Sequence, residues 1–283
     1  MRNRRGEKII FLLMRTLTYA IVFFITSVIL DIVINGMPAI SWHFLTESPE
    51  KSGAEGGIFP AIVGTLYLVT GTILVALPLG MMSAIYLSEY AKATRLTQII
   101  RMAIVTLAGV PSIVFGLFGL GLFVITLDFG ASILAGSITL ACMILPTIIV
   151  ASEESLKSVP QYMREGSLAL GATKWETIYK NVLPYALPGM LTGSILGIGR
   201  AAGEAAPILL TAAAFFLPEL PSSVYDQVMA LPYHLYILAT QHPDAQKILP
   251  MQYGTALVLL ILVISLNLTA IIIRIRVRKK YKW

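Results

Sequence analysis

Six separate apolar runs, each long enough to cross a lipid bilayer, constrain this chain more than any other feature of its sequence. They fall at about 16–36, 60–87, 102–127, 131–151, 186–216 and 253–274. A hydrocarbon core about 30 Å thick takes roughly 20 apolar residues of helix to span. Inside lipid every backbone N–H and C=O must be paired within the protein, which leaves helices or a closed barrel. Barrel strands alternate apolar and polar residues, and these runs, rich in Leu, Ile, Val and Ala, do not alternate. The sequence therefore predicts an all-α integral membrane protein with six transmembrane helices. Composition agrees: 13% of residues are charged, against about 25% in an ordinary soluble domain. That is too little polar surface to coat a water-soluble globule.

The net charge of +6 is distributed in a way that excludes a nucleic-acid face. Of the 21 Lys and Arg residues, Arg200 lies inside the fifth run, and only Lys51 and Lys247 fall in loops on one side. The rest flank the runs on the other side, so the positive-inside rule places both termini in the cytoplasm. The opening MRNRRGEKII leads into an apolar run longer than the 7–15-residue core of a signal peptide. A retained first helix is expected. Cys142, the single cysteine, lies in an apolar run and reads as a small buried hydrophobe. His43, His234 and His242 lack ligand spacing, and no metal site is expected.

Two segments are expected outside. Residues 37–59 carry Glu47, Glu50 and Glu55, and residues 217–252 carry Pro218, Pro221, Pro232, Pro243 and Pro250. Within the second, VYDQVMALPYHLYILATQ is apolar but too broken to span. It reads as a short interfacial helix, with Tyr233, His234 and Tyr236 turned to headgroups or a partner. No GxxxxGK[ST] phosphate loop occurs, so the chain has no ATPase of that kind. Energy for uphill transport must come from a partner or an ion gradient.

The cytoplasmic loop 152–184 reads SEESLKSVPQYMREGSLALGATKWETIYKNVLP. Pro160 suits the first position of a helix, where its missing N–H is no loss. A helix over about 161–170 then ends at Gly171, a natural left-handed stop. A second is expected from Thr173, with Lys174, Trp175 and Glu176 in its first turn, stopping before Pro184. This loop resembles the coupling loop of type I ABC importer permeases, a glutamate followed by two small residues, then glycine, then Leu-Pro. The matching positions are Glu165, Gly166 and Ser167, then Gly171, then Leu183 and Pro184. The sequence departs from the pattern with Gly-Ser where the family has Ala-Ala, and with Asn181 where isoleucine is usual. In that family the loop docks in a groove of the ATPase. GGIFPAIVGTLYLVTGTILVALPLGMMSAIYLSEYA and GVPSIVFGLFGL (109–120) resemble the start of the permease core. The resemblance implies an N-terminal extension over 1–59, a core over 60–274 and a basic tail over 275–283.

Arg200 and Glu204, in LTGSILGIGRAAGEAAPILL, are the charged pair inside the membrane. At spacing i,i+4 they are expected on one helical face with Gly193 and Gly197, beside a kink at Pro207. A charge in the bilayer is costly and marks a functional candidate. One reading makes the pair a salt bridge in a gate or partner interface. The other makes Arg200 a fork for a tetrahedral oxyanion, with Glu204 accepting from protons that phosphate carries and sulfate lacks at neutral pH. GRAAGEAAPILL and ALPYHLYILATQ resemble phosphate-system permeases of the PstA type. Ser112, Thr139, Thr147, Thr192 and Ser194 are weaker path candidates, since such hydroxyls usually bond their own helix. Pro78, Pro111 and Pro146 read as kink or packing positions.

The resemblance implies a permease subunit of an ATP-driven phosphate importer in a bacterial or archaeal inner membrane. Its partners would be a second homologous permease, two cytoplasmic ATPases that bind ATP and Mg, and an external phosphate-binding protein. No cofactor and no catalytic residue is expected in this chain. The alternatives are a same-fold permease for molybdate or sulfate, an ion-coupled carrier with Glu204 as proton relay, and a non-transporting scaffold.

Overall fold

The computed structural model describes residues 4–50, 55–241 and 248–280, with side chains over 6–50, 55–241 and 248–279. Lys51, Lys247, His242 and Pro243 lie outside the described residues. The chain is helical almost throughout. Helix α1 (Arg4–Gly36) leads through a 3₁₀ turn to α2 (Trp42–Thr46). A minimal antiparallel pair, β1 (Pro49–Glu50) with β2 (Glu55–Gly56), precedes α3 (Phe59–Ile85), which a π segment extends to Tyr90. Then come α4 (Arg95–Leu107), α5 (Ser112–Gly119, extended by a π segment to Thr126) and α6 (Ile133–Lys157). Next are α7 (Gln161–Ala169) and α8 (Lys174–Thr177), the latter carried by a π segment (Ile178–Val182) into α9 (Leu183–Gly203). Helices α10 (Ala206–Thr211), α11 (Leu231–Thr240) and α12 (Leu249–Lys280) complete the order.

Five of the described helical units are long and apolar enough to cross a membrane, and the number is six when one bent pair is taken as a single span. That pair corrects the expected third span at 102–127. Arg95–Leu107 and Ser112–Thr126 meet at 106°. The break has a local cause: Pro111 is extended (φ −57°, ψ 140°), and the residue before a proline is driven out of the helical region. The expected span at 186–216 is also corrected. It stops at Gly203, with Glu204 extended (φ −83°, ψ 128°), because Pro207 has no N–H for the Gly203 carbonyl and its ring would clash there.

Helix α6 is the central post. Leu140, Ile144 and Ile148 are buried on it against Leu68 and Ala76 of α3 and Ala201 of α9. Polar groups tie the same crossing. The Thr72 hydroxyl donates to the carbonyls of Leu68 (2.7 Å) and Ser137 (3.3 Å), and Ser137 donates back to Leu68. α9 lies so close to α6 that a Cβ at Gly193 would sit 2.2 Å from that of Ala151. Gly193→Val is therefore expected to destabilise the fold by about 1–3 kcal/mol through overpacking, read as a lower melting temperature in detergent. An unchanged melting temperature would deny that contact.

The segment after α10 corrects another expectation. Ala213 and Val228 form a parallel bridge, and Val228, Met229, Ala230 and Leu231 are all buried. Thr65 accepts from the Leu231 N–H at 2.8 Å. α11 follows as a packed helix, and its His234 is 3% exposed; burial, not a headgroup, surrounds it. Tyr233 stacks on Tyr236 at 6.5 Å, and Tyr236 alone of the three stays exposed. Cys142, half-buried, lines an apolar cavity of about 500 Å³ in the angle between α4 and α5, with Ile104, Phe115 and Phe118. α1 turns its apolar stretch outward. It is fastened at its end to α12, where Tyr253 donates to Asp31 at 3.1 Å.

Candidate functional site

The ends of α3, α6 and α9 meet beneath α7, and the charges there are paired. Arg164 on α7 reaches Glu89 in the π extension of α3: Nη2 donates to Oε1 at 2.8 Å and Nε to Oε2 at 3.4 Å. Its Nη1 and Nη2 also donate to the carbonyls of Val159 (2.7 Å) and Leu156 (2.8 Å) at the end of α6. Both side chains are largely buried, 15% and 7% exposed. Beside them Arg101 of α4 pairs with Glu153 of α6 at 2.9 Å and donates to the Leu87 carbonyl at 2.7 Å. Lys157 completes the cluster at 3.2 Å from Glu153.

The turn after α7 is built as its sequence requires. Gly171 has φ +84°, a left-handed conformation that glycine adopts without steric cost. The Ala172 N–H returns to the Ser167 carbonyl and closes the end of α7. Thr173 then caps α8 in a capping box with Glu176, satisfying donors at both positions. Pro160 sits one place before the helix, as its cap, and not at its first position. The expected stop before Pro184 is corrected. The π turn, in which the Leu183 N–H bonds the Ile178 carbonyl, carries the helix past the proline. Lys174–Gly203 is thereby one unit of 30 residues.

Of the residues singled out in this loop, Glu165 and Gly166 are exposed on α7, and Gly171 is exposed at the turn. Leu183 and Pro184 are half-buried where α9 begins. Ser167 is the joint between the two arms. Its hydroxyl lies 3.0 Å from that of Thr177 and accepts from Asn181 Nδ2 at 2.9 Å. Around the joint stand exposed apolar side chains, Leu170 at 90%, Tyr162 at 73% and Trp175 at 59%. Sequence reasoning missed Glu89, Arg101 and Glu153. The signal was there: acidic residues at span ends, in a chain with few charges, need basic partners.

At the other end of the 30-residue unit lies the second site. Arg200 Nε is 3.3 Å from Glu204 Oε1, with side chains 42% and 21% exposed. Gly193 and Gly197 are buried against α6, and Arg200 follows at helical spacing on the same face but is exposed at the end of α9, whereas Glu204 has already left the helix. The ion pair forms because the extended Glu204 caps the last turn. A cation there also suits the helix C-terminus. Among the described residues only Nε of the guanidinium is engaged, which leaves its outer edge able to bind an oxyanion in a two-point fork. Thr139, Thr192 and Ser194 donate to their own helix one turn back. No described group of three metal-ligating side chains is assembled.

A bundle of five to six spans, with a helical hairpin across the ends of three of them, defines the class: the permease fold of type I ABC importers. A chain of a bacterial alginate ABC transporter, solved in complex with an alginate pentasaccharide-bound periplasmic protein, shares it at a TM-score of 0.67. That match has 14% identity and covers 95% of this chain and 96% of the other. The chain belongs to the family of binding-protein-dependent transport system inner membrane components, matched over residues 76–282. It is a multi-pass inner-membrane permease subunit. A probable ABC transporter permease of Bacillus subtilis, YqgI, is 34% identical over 230 residues, 77% of this chain and 78% of that one. A probable phosphate transport system permease protein PstA of Methanocaldococcus jannaschii is 34% identical over 254 residues, covering 90% and 88%.

Proposed function

We propose that this chain is one of two homologous permeases of an ATP-driven phosphate importer, with its core over 60–274 and the α7–α8 hairpin in the cytoplasm. Two cytoplasmic ATPases bind ATP and Mg and carry the hydrolysis. α7, with Glu165, Gly166 and Ser167, and the turn at Gly171 form the surface that their groove receives. An external phosphate-binding protein delivers cargo at the opposite end, where Arg200 and Glu204 stand on the translocation path. The observation that carries this reading is the continuous unit from Lys174 to Gly203. Leu183 and Pro184 sit inside it, so movement of the hairpin reaches the charged pair along one helix. At 1.5 Å per residue, Asn181 and Arg200 are about 28 Å apart along it, most of a bilayer core. Likeness to the archaeal PstA relative supports phosphate as cargo.

The test is labelled-phosphate uptake in cells expressing the whole assembly, with excess sulfate and molybdate as competitors. Uptake is expected to resist both anions and to cease on ATP depletion even with the membrane potential maintained. Competition by sulfate or molybdate would move the cargo to another oxyanion and leave the permease intact. Uptake that persists without ATP would point to an ion-coupled carrier.

A further inference from the structure

Two of the three residues at which the hairpin departs from the family pattern, Ser167 and Asn181, touch each other. Asn181 Nδ2 donates to Ser167 Oγ at 2.9 Å, and the Thr177 hydroxyl lies 3.0 Å from the same oxygen. Ser167 belongs to α7, while Thr177 and Asn181 belong to the unit that runs on to Arg200. Thr177 is 3% exposed and Ser167 and Asn181 are half-buried, so these bonds are shielded from competing water. Elsewhere α7 is held to other elements, by Arg164 to Glu89 and to the end of α6. The covalent link from α7 to α8 is a four-residue turn through exposed Gly171, and a Cβ at Gly171 would meet nothing. The hydrogen bonds that shape this turn are local, from the Gly171 and Ala172 N–H groups back to α7 and between Thr173 and Glu176 at the start of α8. Met163 of α7 packs across it against the cluster that holds Val182, and the Ser167 hub is the polar link between the two arms.

We propose that the Ser167 hydroxyl, bonded to Thr177 and Asn181, is the joint that makes α7 and the Lys174–Gly203 helix move as one body. Ser167 and Asn181 are positioning residues for coupling, not contacts of phosphate or of ATP. This rests on reading α7 as the ATPase-facing helix. It follows from the geometry that the two side chains matter as a pair. Asn181→Leu leaves a half-buried hydroxyl short of a partner and frees the arm. Ser167→Ala leaves the Asn181 amide without its acceptor. Replacing both with apolar groups removes the unmet polarity and puts an apolar contact in place of the hydrogen bond at the same joint, and such double replacements are close to neutral. Thr177 can then turn its hydroxyl to the carbonyl one turn back.

The experiment uses the assembled transporter with Cys142→Ala and spin labels at Gln161→Cys on α7 and Tyr185→Cys on α9, both exposed sites. Phosphate moved per ATP hydrolysed is measured on the unlabelled variants in proteoliposomes. A single narrow distance is expected for the parent and for Ser167→Ala/Asn181→Leu. A broadened distance is expected for Asn181→Leu alone. Transport per ATP is expected to fall about 5- to 10-fold in either single variant, the scale of one lost hydrogen bond, and to recover in the double. A narrow distance in Asn181→Leu, or a double variant as uncoupled as the singles, would overturn the joint. The label distances need no cargo, so a parent that moves no phosphate would defeat the cargo reading and leave this result standing.

Discussion

Arg164→Ala is expected to abolish most phosphate uptake and to loosen the permease from its ATPase. The loss has a definite source. Arg164 makes two contacts to Glu89 and donates to two backbone carbonyls at the end of α6. Removing it strands a carboxylate that is only 7% exposed, and breaking a buried pair from one side costs about 3–5 kcal/mol. Net stabilities run to about 5–15 kcal/mol, so the region beneath α7 is expected to open before the rest. The signature is reduced co-purification of the ATPase and uptake at least about 10-fold down. Arg164→Lys is expected to rescue little, because an ammonium cannot span Glu89 and two carbonyls as a planar fork does. Glu89→Gln is expected to be milder, since the amide oxygen still accepts from Arg164. Full uptake in Arg164→Ala would show that α7 is held by Ser167 and its neighbours alone.

The parts of this fold that could be read in advance are those set by local or one-dimensional rules. Length and apolarity place the spans. Gly171 ends α7, and Thr173 with Glu176 caps α8, because both signals act within four residues. Bends were read less well. Pro111 and Pro207 are legible as kink positions, yet whether a proline bends a span or breaks it depends on what receives the chain afterwards. Ser112 enters α5 across a 106° turn, and Ala213 finds a bridge with Val228. Pro184 shows the opposite: a π turn absorbs it and the helix continues. His234 looked like an interfacial residue because its neighbours Tyr233 and Tyr236 are aromatic, but tertiary packing covers it. Glu89 and Arg164 are 75 positions apart, and nothing in their separate surroundings names the partner. Arg200 and Glu204 are legible because a charge in an apolar run stands out by itself, while the departure of Glu204 from the helix is set by the break at Gly203.

Arg200→Ala in an intact assembly is expected to reduce phosphate uptake about 10- to 100-fold, since a hydrogen bond to a charged group is worth about 1.5–3 kcal/mol. On the proposed path the guanidinium meets the anion with the nitrogens that Glu204 leaves unused. Glu204 stands 3.3 Å from Nε, close enough to accept from a proton on an anion held by the same fork. If the pair were only a salt bridge, each single variant would strand one charge, and Arg200→Ala/Glu204→Ala would recover. On the path reading the double variant stays as inactive as Arg200→Ala, because the anion has lost its cation. Glu204→Gln separates the two roles further. A carboxylate repels an anion that has no proton to offer, whereas an amide can donate to it. Sulfate, fully deprotonated at neutral pH, is therefore expected to compete with phosphate in Glu204→Gln and not in the parent. Recovery of the double variant together with unaltered sulfate exclusion in Glu204→Gln would remove both residues from the path and leave them as a structural pair at the end of α9.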